Sequence, residues 1–283
     1  MKNKGILVIN KPKDWTSFDI VNKVRHIAKI KKVGHLGTLD PMATGVLLIT
    51  LGKATKLFDI MQEKIKSYIA KFEFGYSTDT LDSTGNIIEN TETIPSHQDI
   101  AKIIPTFIGE IAQIPPKFSA KNIEGKRAYD LARKNVDFDL KPNKVTIYDI
   151  KIIDYTDHIL TIKIDCGSGT YIRSIGRDMA DKLDSLATMI ELTRTQVGRF
   201  TIDQSVTIQD LTAKNIDDFI WKIDECLDYK VFDCTEADRL RLLNGQTIRT
   251  DINDGMYKLN DEQDTIAIIN VSNFKAKMST FLG

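Results

Sequence analysis

No stretch of the 283-residue chain stays apolar for the roughly 18 residues that a membrane-crossing helix needs. The longest candidate, Val46 to Leu51, has the length of a strand. The opening Met1-Lys-Asn-Lys-Gly lacks the apolar segment of a signal peptide, so the expected location is the cytoplasm. Cysteine is scarce: Cys166, Cys226 and Cys234 include no C-x-x-C pair, and the four histidines are scattered. That spacing argues against a disulfide framework and a metal site, and for free thiols in a reduced interior. No nucleotide-binding motif, internal repeat or low-complexity tract is present. Charge of one sign is lacking overall, because 39 basic side chains meet 39 acidic ones. The average conceals a gradient: residues 201–283 hold 15 acidic and 9 basic side chains, and residues 1–200 hold 24 and 30. A basic front and an acidic tail point to an anionic partner at the front.

What is present reads as mixed strands and helices without a regular βαβ rhythm, hence α+β. Gly5 to Ile9 is a short buried strand. Thr16 and Asp19 make a capping-box pattern, and Ile20, Val21, Val24, Ile27 and Ala28 follow at helical spacing. The other face carries Lys23, Arg25, His26 and Lys29, with no acidic residue from Asn22 to His35. Such a run is either a solvated face or a phosphate contact. Ser67 to Phe74 alternates as a half-buried strand, Lys144 to Tyr155 and Ile159 to Cys166 are strands, and Thr170 to Leu186 is a helix. Thr207 to Cys226 also reads as helical, and the last 50-odd residues as a compact β-rich appendage.

The segment His35-Leu-Gly-Thr-Leu-Asp40-Pro-Met-Ala-Thr-Gly45 is the most informative. Its glycines allow close backbone approaches, and Pro41 restrains Asp40 to an extended conformation. On spacing alone, an aspartate capping a turn is the plainer reading.

GHLGTLDPMATGVL resembles the signature of the bacterial tRNA pseudouridine-55 synthases of the TruB type. INKPKDWTSFDIV, GKATKL, KSYIAKFEFG, TDTLDSTG, IPPKFSA with GKRAYDLAR, CGSGTYIRSIGRDM and LTRTQVGRF follow in that family's order, over about residues 5–215. The resemblance implies a mixed, largely antiparallel sheet with flanking helices in a catalytic domain over 1–228. It also implies a small, reduced PUA-like RNA-binding domain over 229–283. It implies an isomerase that converts uridine 55 in the TΨC loop of tRNA to pseudouridine, with no cofactor and no metal. The partner is the T arm of tRNA, and the expected state is a monomer. Two alternatives stand beside it: a guide-RNA-directed synthase, whose catalytic loop is similar but which normally carries a longer C-terminal region, and a non-catalytic tRNA-binding or folding factor that keeps the fold without requiring Asp40, Tyr68 and Arg173 together.

By the same resemblance Asp40 is catalytic, either attacking C1′ or taking a proton from C2′, and Arg173 is its partner. Tyr68 stacks on the target base. Tyr171 lines the uracil pocket, with Leu192 as an apolar wall, and His35 supports the flipped state. Lys11, Lys23, Arg25, Lys126, Arg127 and Arg194 are expected at RNA phosphates, positioning RNA rather than reading it. The chain departs from the pattern at Asn122, where the family usually has lysine; here lysine stands one place earlier, at Lys121. The short, acidic tail argues against a strong grip on the acceptor stem.

Overall fold

In the computed structural model the described residues are 5–62, 64–119, 121–123, 125–134, 136, 138–261 and 264–283. The chain opens with β1 (Gly5–Lys11) and α1 (Ser17–Ala28), followed by β2 (Val33–Leu36), β3 (Thr44–Leu51) and β4 (Lys66–Phe74). The helix α2 (His97–Ile103) leads to β5 (Gly109–Gln113), β6 (Asn143–Thr156) and β7 (Ile159–Cys166). Then come α3 (Ile172–Asp181), β8 (Ala187–Val197), β9 (Phe200–Thr201) and β10 (Val206–Thr207). These ten strands form one sheet in the order β10-β1-β3-β8-β4-β7-β6-β5, with β2 on β3 and β9 on β8. Pairing is antiparallel except at β1–β10 and β3–β8. The expected mixed, largely antiparallel α+β architecture is present.

Local chemistry explains the elements that position the site. The α1 helix starts at Thr16, whose hydroxyl accepts from the Asp19 N–H while the Asp19 carboxylate accepts from the Thr16 N–H. Ile20, Val21 and Val24 are buried, and Lys29 ends the helix in a left-handed conformation. β3 reads as a continuous apolar run because both of its faces are covered. Leu47, Ile49 and Leu51 pack in the cluster that contains the α1 stripe. Val46 and Leu48 pack on the other side with Ala54, Leu57 and Phe200.

Residues 230–281 build a second, five-stranded sheet. Its long strand, Asp264–Ser272, alternates. Ala267, Ile269 and Val271 enter a core of their own, whereas Ile268 joins the cluster behind β3. The buried Lys258 adds an ion pair to Asp224, at 2.9 Å.

The expected helix over Thr207 to Cys226 is not formed. That stretch holds only the short turns Ile216–Phe219 and Ile223–Cys226. Thr207 donates to the Asp210 carboxylate, and Asn215 accepts from the N–H and hydroxyl of Thr212. Such local side-chain bonds compete with helical ones. The expected helix over Thr170 to Leu186 is shorter, Ile172–Asp181. Among the described residues no helix is long and apolar enough to cross a membrane.

One close approach fixes α3 on the sheet. A Cβ at Gly176 would stand 2.4 Å from Cδ1 and Cε1 of the fully buried Phe72 ring. Gly→Ala in a helix interior ordinarily stabilises. Here Gly176→Ala is expected to lower stability by roughly 1–3 kcal/mol through overpacking. A urea midpoint equal to the wild-type value would contradict this packing.

Candidate active site

The glycine loop is shorter than its sequence suggests, because His35 belongs to β2 and pairs with Ile49. What remains, between β2 and β3, carries Asp40. Several of its backbone groups are held. Ser17 accepts from the Leu39 N–H and donates to the Leu39 carbonyl. Ala43 N–H donates to the Asp40 carbonyl, and Asp14 N–H to that of Pro41. Gly45, at φ +98°, admits β8 alongside, since a Cβ there would stand 2.2 Å from the Arg194 carbonyl oxygen.

The Asp40 side chain, 34% exposed, meets Arg173 Nη2 at 2.9 Å. Arg173 comes from the first turn of α3 and is 6% exposed. Its other terminal nitrogen, Nη1, pairs with Asp82 at 3.3 Å. The same two nitrogens donate to the carbonyls of Thr80 and Phe118, each at 3.0 Å. Burial pushes the Asp40 carboxyl above its ordinary value, Arg173 pulls it down, and Asp82 pushes it up again. Burial prevails, and the carboxyl stands above the usual range.

Asp40 and Arg173 lie between two cavities. One, of about 250 Å³, is lined by Tyr68, Tyr171, Leu192, Lys66 and the Gly167–Thr170 loop. The other, of about 990 Å³, is lined by His35, Phe18, Phe118, Tyr129 and Arg133 among others. Tyr68 is buried on β4, and burial raises its phenol. Tyr171 is the residue before α3; its backbone N–H and carbonyl are both gripped by the Gln113 amide. The extended geometry that would put Tyr171 and Arg173 on one face is not adopted, because the helix begins between them. Both side chains nevertheless line the smaller cavity. Burial, with Arg194 next, pushes the His35 imidazole below its ordinary value. Its Nδ1 is buried without a partner among the described residues.

A family model described as the TruB family pseudouridylate synthase N-terminal domain matches residues 25–172. One described as the tRNA pseudouridylate synthase B C-terminal domain matches residues 173–228. The chain belongs to the TruB family of pseudouridylate synthases. A protein of Clostridium kluyveri named tRNA pseudouridine synthase B is 40% identical over 263 residues, covering 90% of this chain and 91% of its own. The protein of the same name from Caldanaerobacter subterraneus is 37% identical, with 96% of both chains covered. Among solved structures, a chain of a Cbf5-Nop10-Gar1 complex has a TM-score of 0.74 at 21% identity, covering 99% of this chain and 85% of that one. At that identity the likeness is one of fold.

Against the TruB-type expectations, the structure brings Asp40, Arg173, Tyr68, Tyr171 and Leu192 to one cavity and His35 to its neighbour. Two expected phosphate contacts are corrected. Lys11 is 0% exposed, and its ammonium donates to the carbonyls of Pro12, Trp15 and Pro41 at 2.8, 2.6 and 3.0 Å. Burial lowers it to about 8. Arg194 is 1% exposed and donates to loop and strand carbonyls. Neither lies on the outer surface: Lys11 is enclosed, and Arg194 borders only the smaller cavity. Lys23 is exposed on α1, and Arg25 is partly buried, its Nη1 bonded to Asn22 at 2.7 Å. The side chains of Lys126 and Arg127 lie outside the described residues. Lys121 donates to Asn143 at 2.7 Å.

Asp82 is the site residue that sequence reasoning passed over. Its Oδ1 accepts from the Thr80 and Thr84 hydroxyls and the Thr84 N–H, leaving Oδ2 for Arg173. The threonines around Asp82 in TDTLDSTG were the available signal, since three neighbouring donors hold one carboxylate oxygen and fix the direction of the other. Lys66, 7% exposed and lowered to about 8 by burial, donates to Ser168 at 2.9 Å on the floor of the smaller cavity.

Proposed function

We propose that this protein is a cytoplasmic tRNA pseudouridine synthase that isomerises uridine 55 in the TΨC loop, with Asp40 as its catalytic carboxylate. The observation that carries the reading is the Asp40–Arg173 pair, 2.9 Å apart, at a cavity walled by Tyr68, Tyr171 and Leu192. The relatives named tRNA pseudouridine synthase B supply the substrate class.

The reaction breaks the N1–C1′ bond, turns the uracil and joins C5 to C1′. The C5 proton leaves, N1 regains one, and the product is an isomer of the substrate. A uridine inside a folded loop must first be extruded, at a cost of a few kcal/mol. Stacking on Tyr68 returns on the order of 1–3 kcal/mol of that. The neutral His35 imidazole offers a polar aromatic surface where the displaced loop bases were. Asp40 then either attacks C1′ or removes the C2′ proton to give a glycal. In both routes the carboxylate faces positive charge developing at the anomeric carbon. Arg173 holds it in direction, through the planar fork that lysine lacks. Lys23 and Arg25 face the RNA backbone and position it.

Unmodified tRNA transcript carrying tritium at uridine C5 tests the reading. Incubation with the protein is expected to release about one tritium per tRNA to water. A transcript with uridine 55 replaced by cytidine is expected to release none. Absence of release from the unmodified transcript removes the enzyme reading, and equal release from both transcripts removes the assignment to position 55.

A further inference from the structure

Arg194 stands where the site's three strands meet. Across β8 and β4 it is the register partner of Tyr68, and across β8 and β3 that of Gly45. Its side chain runs beneath the loop that carries Asp40. Nε donates to the Val46 carbonyl at 2.7 Å and Nη2 to the Gly37 carbonyl at 3.0 Å. Nη1 makes a longer contact, 3.4 Å, to that of Thr38. The guanidinium also interacts with the Tyr68 hydroxyl. No carboxylate pairs with it among the salt bridges of the described residues. Its charge is held by carbonyl dipoles in a site almost closed to water. Taking a cation out of water in this way is costly. A neutral hydrogen-bonding side chain would hold one carbonyl more cheaply, but only a planar fork with five donors reaches several fixed acceptors at once.

We propose that Arg194 is a positioning residue of the isomerisation: one rigid fork sets the loop bearing Asp40 and the phenol of Tyr68 in a single frame, and it makes no contact with RNA phosphate. The inference rests on the synthase reading above. A carboxylate that must meet the sugar while its neighbour stacks on the base of the same nucleotide has to be placed to about 0.5 Å. Asp40 sits on a loop and Tyr68 on a strand, so a link between the two is needed. Lys11 secures the loop on the far side of Asp40, at the Pro41 carbonyl, but does not extend to β4. Arg194 bonds both.

The test compares wild type, Arg194→Lys and Arg194→Ala. It uses single-turnover tritium release for the chemical step, filter binding of tRNA at several salt concentrations for affinity, and thermal melting. Arg194→Ala is expected to lose about 100-fold or more in rate, the scale of a misplacement near 1 Å. Its tRNA dissociation constant is expected to stay within about twofold, with an unchanged salt slope. Guanidinium ion at low millimolar concentration is expected to restore part of that rate where sodium does not. Arg194→Lys is expected to be intermediate, and decides the matter should the alanine variant fail to fold. Weaker binding with a shallower salt slope would make Arg194 a phosphate contact and overturn the inference. An unchanged rate would overturn it too, as would lost rate and lost melting temperature that neither lysine nor guanidinium relieves. In each of those cases the active wild type leaves the synthase reading standing; an inactive wild type would sink both.

Discussion

Asp40→Asn is expected to lose roughly 1,000-fold or more of single-turnover tritium release, while folding at least as stably as wild type at neutral pH. The loss of rate follows from the missing carboxylate, since an amide neither attacks C1′ nor accepts a proton. The stability follows from the direction of the shift. Burial raises the Asp40 carboxyl above its ordinary value, so the folded state holds the proton more tightly than the unfolded state does. Between the ordinary carboxylate value, about 3.9, and the raised folded value, stability therefore falls as pH rises. Above that raised value the whole penalty is present. The amide removes it and still offers Arg173 an oxygen. The melting-temperature advantage of Asp40→Asn is expected to shrink as the pH falls through the raised folded value toward the ordinary one. In wild type the same shift places the acid limb of the rate profile above the ordinary carboxylate range. A variant clearly less stable than wild type at neutral pH would contradict this account, and one that keeps a tenth of the rate would remove Asp40 from the chemistry.

Legibility in the sequence tracked how local the cause was. The α1 start was readable because Thr16 and Asp19 are three residues apart and satisfy each other. The alternation in β4 was readable because a strand with one buried face repeats every two residues. The stretch after Thr207 failed for an equally local reason that apolar spacing does not show: threonine and asparagine spend their side chains on nearby polar groups. The misplaced cations failed for a tertiary reason. Lys11 and Arg194 look like surface charge in a basic front, and only the fold shows carbonyls converging on both. Asp82 was hidden differently. Its motif was visible, but its partner Arg173 arrives from a helix 91 residues further along the chain (173 − 82). The family motif singled out Asp40, and the fold supplies what surrounds it.

The second large effect is expected at Arg173, where removing one side chain strips two carboxylates at once. Nη2 serves Asp40 and the Phe118 carbonyl, and Nη1 serves Asp82 and the Thr80 carbonyl. Arg173→Met keeps much of the volume but leaves those four acceptors without their donor. Breaking a buried ion pair by removing one partner costs on the order of 3–5 kcal/mol, and urea denaturation is expected to show a loss of that size. Two neighbouring carboxylates without a cation between them cannot both stay charged easily, so Asp40 is expected to take up a proton at still higher pH. Residual activity should then show an acid limb moved to the alkaline side of the wild-type limb. Arg173→Lys keeps the charge but offers a single ammonium in place of two nitrogens, so it should fall between Met and wild type in both stability and rate. The double variant Arg173→Met/Asp82→Asn separates the two roles. Removing the second carboxylate should recover part of the stability, because one orphaned charge has gone. It should not recover the rate, because Asp40 still lacks the group that aims it. Recovery of both together would mean that Arg173 serves the fold alone.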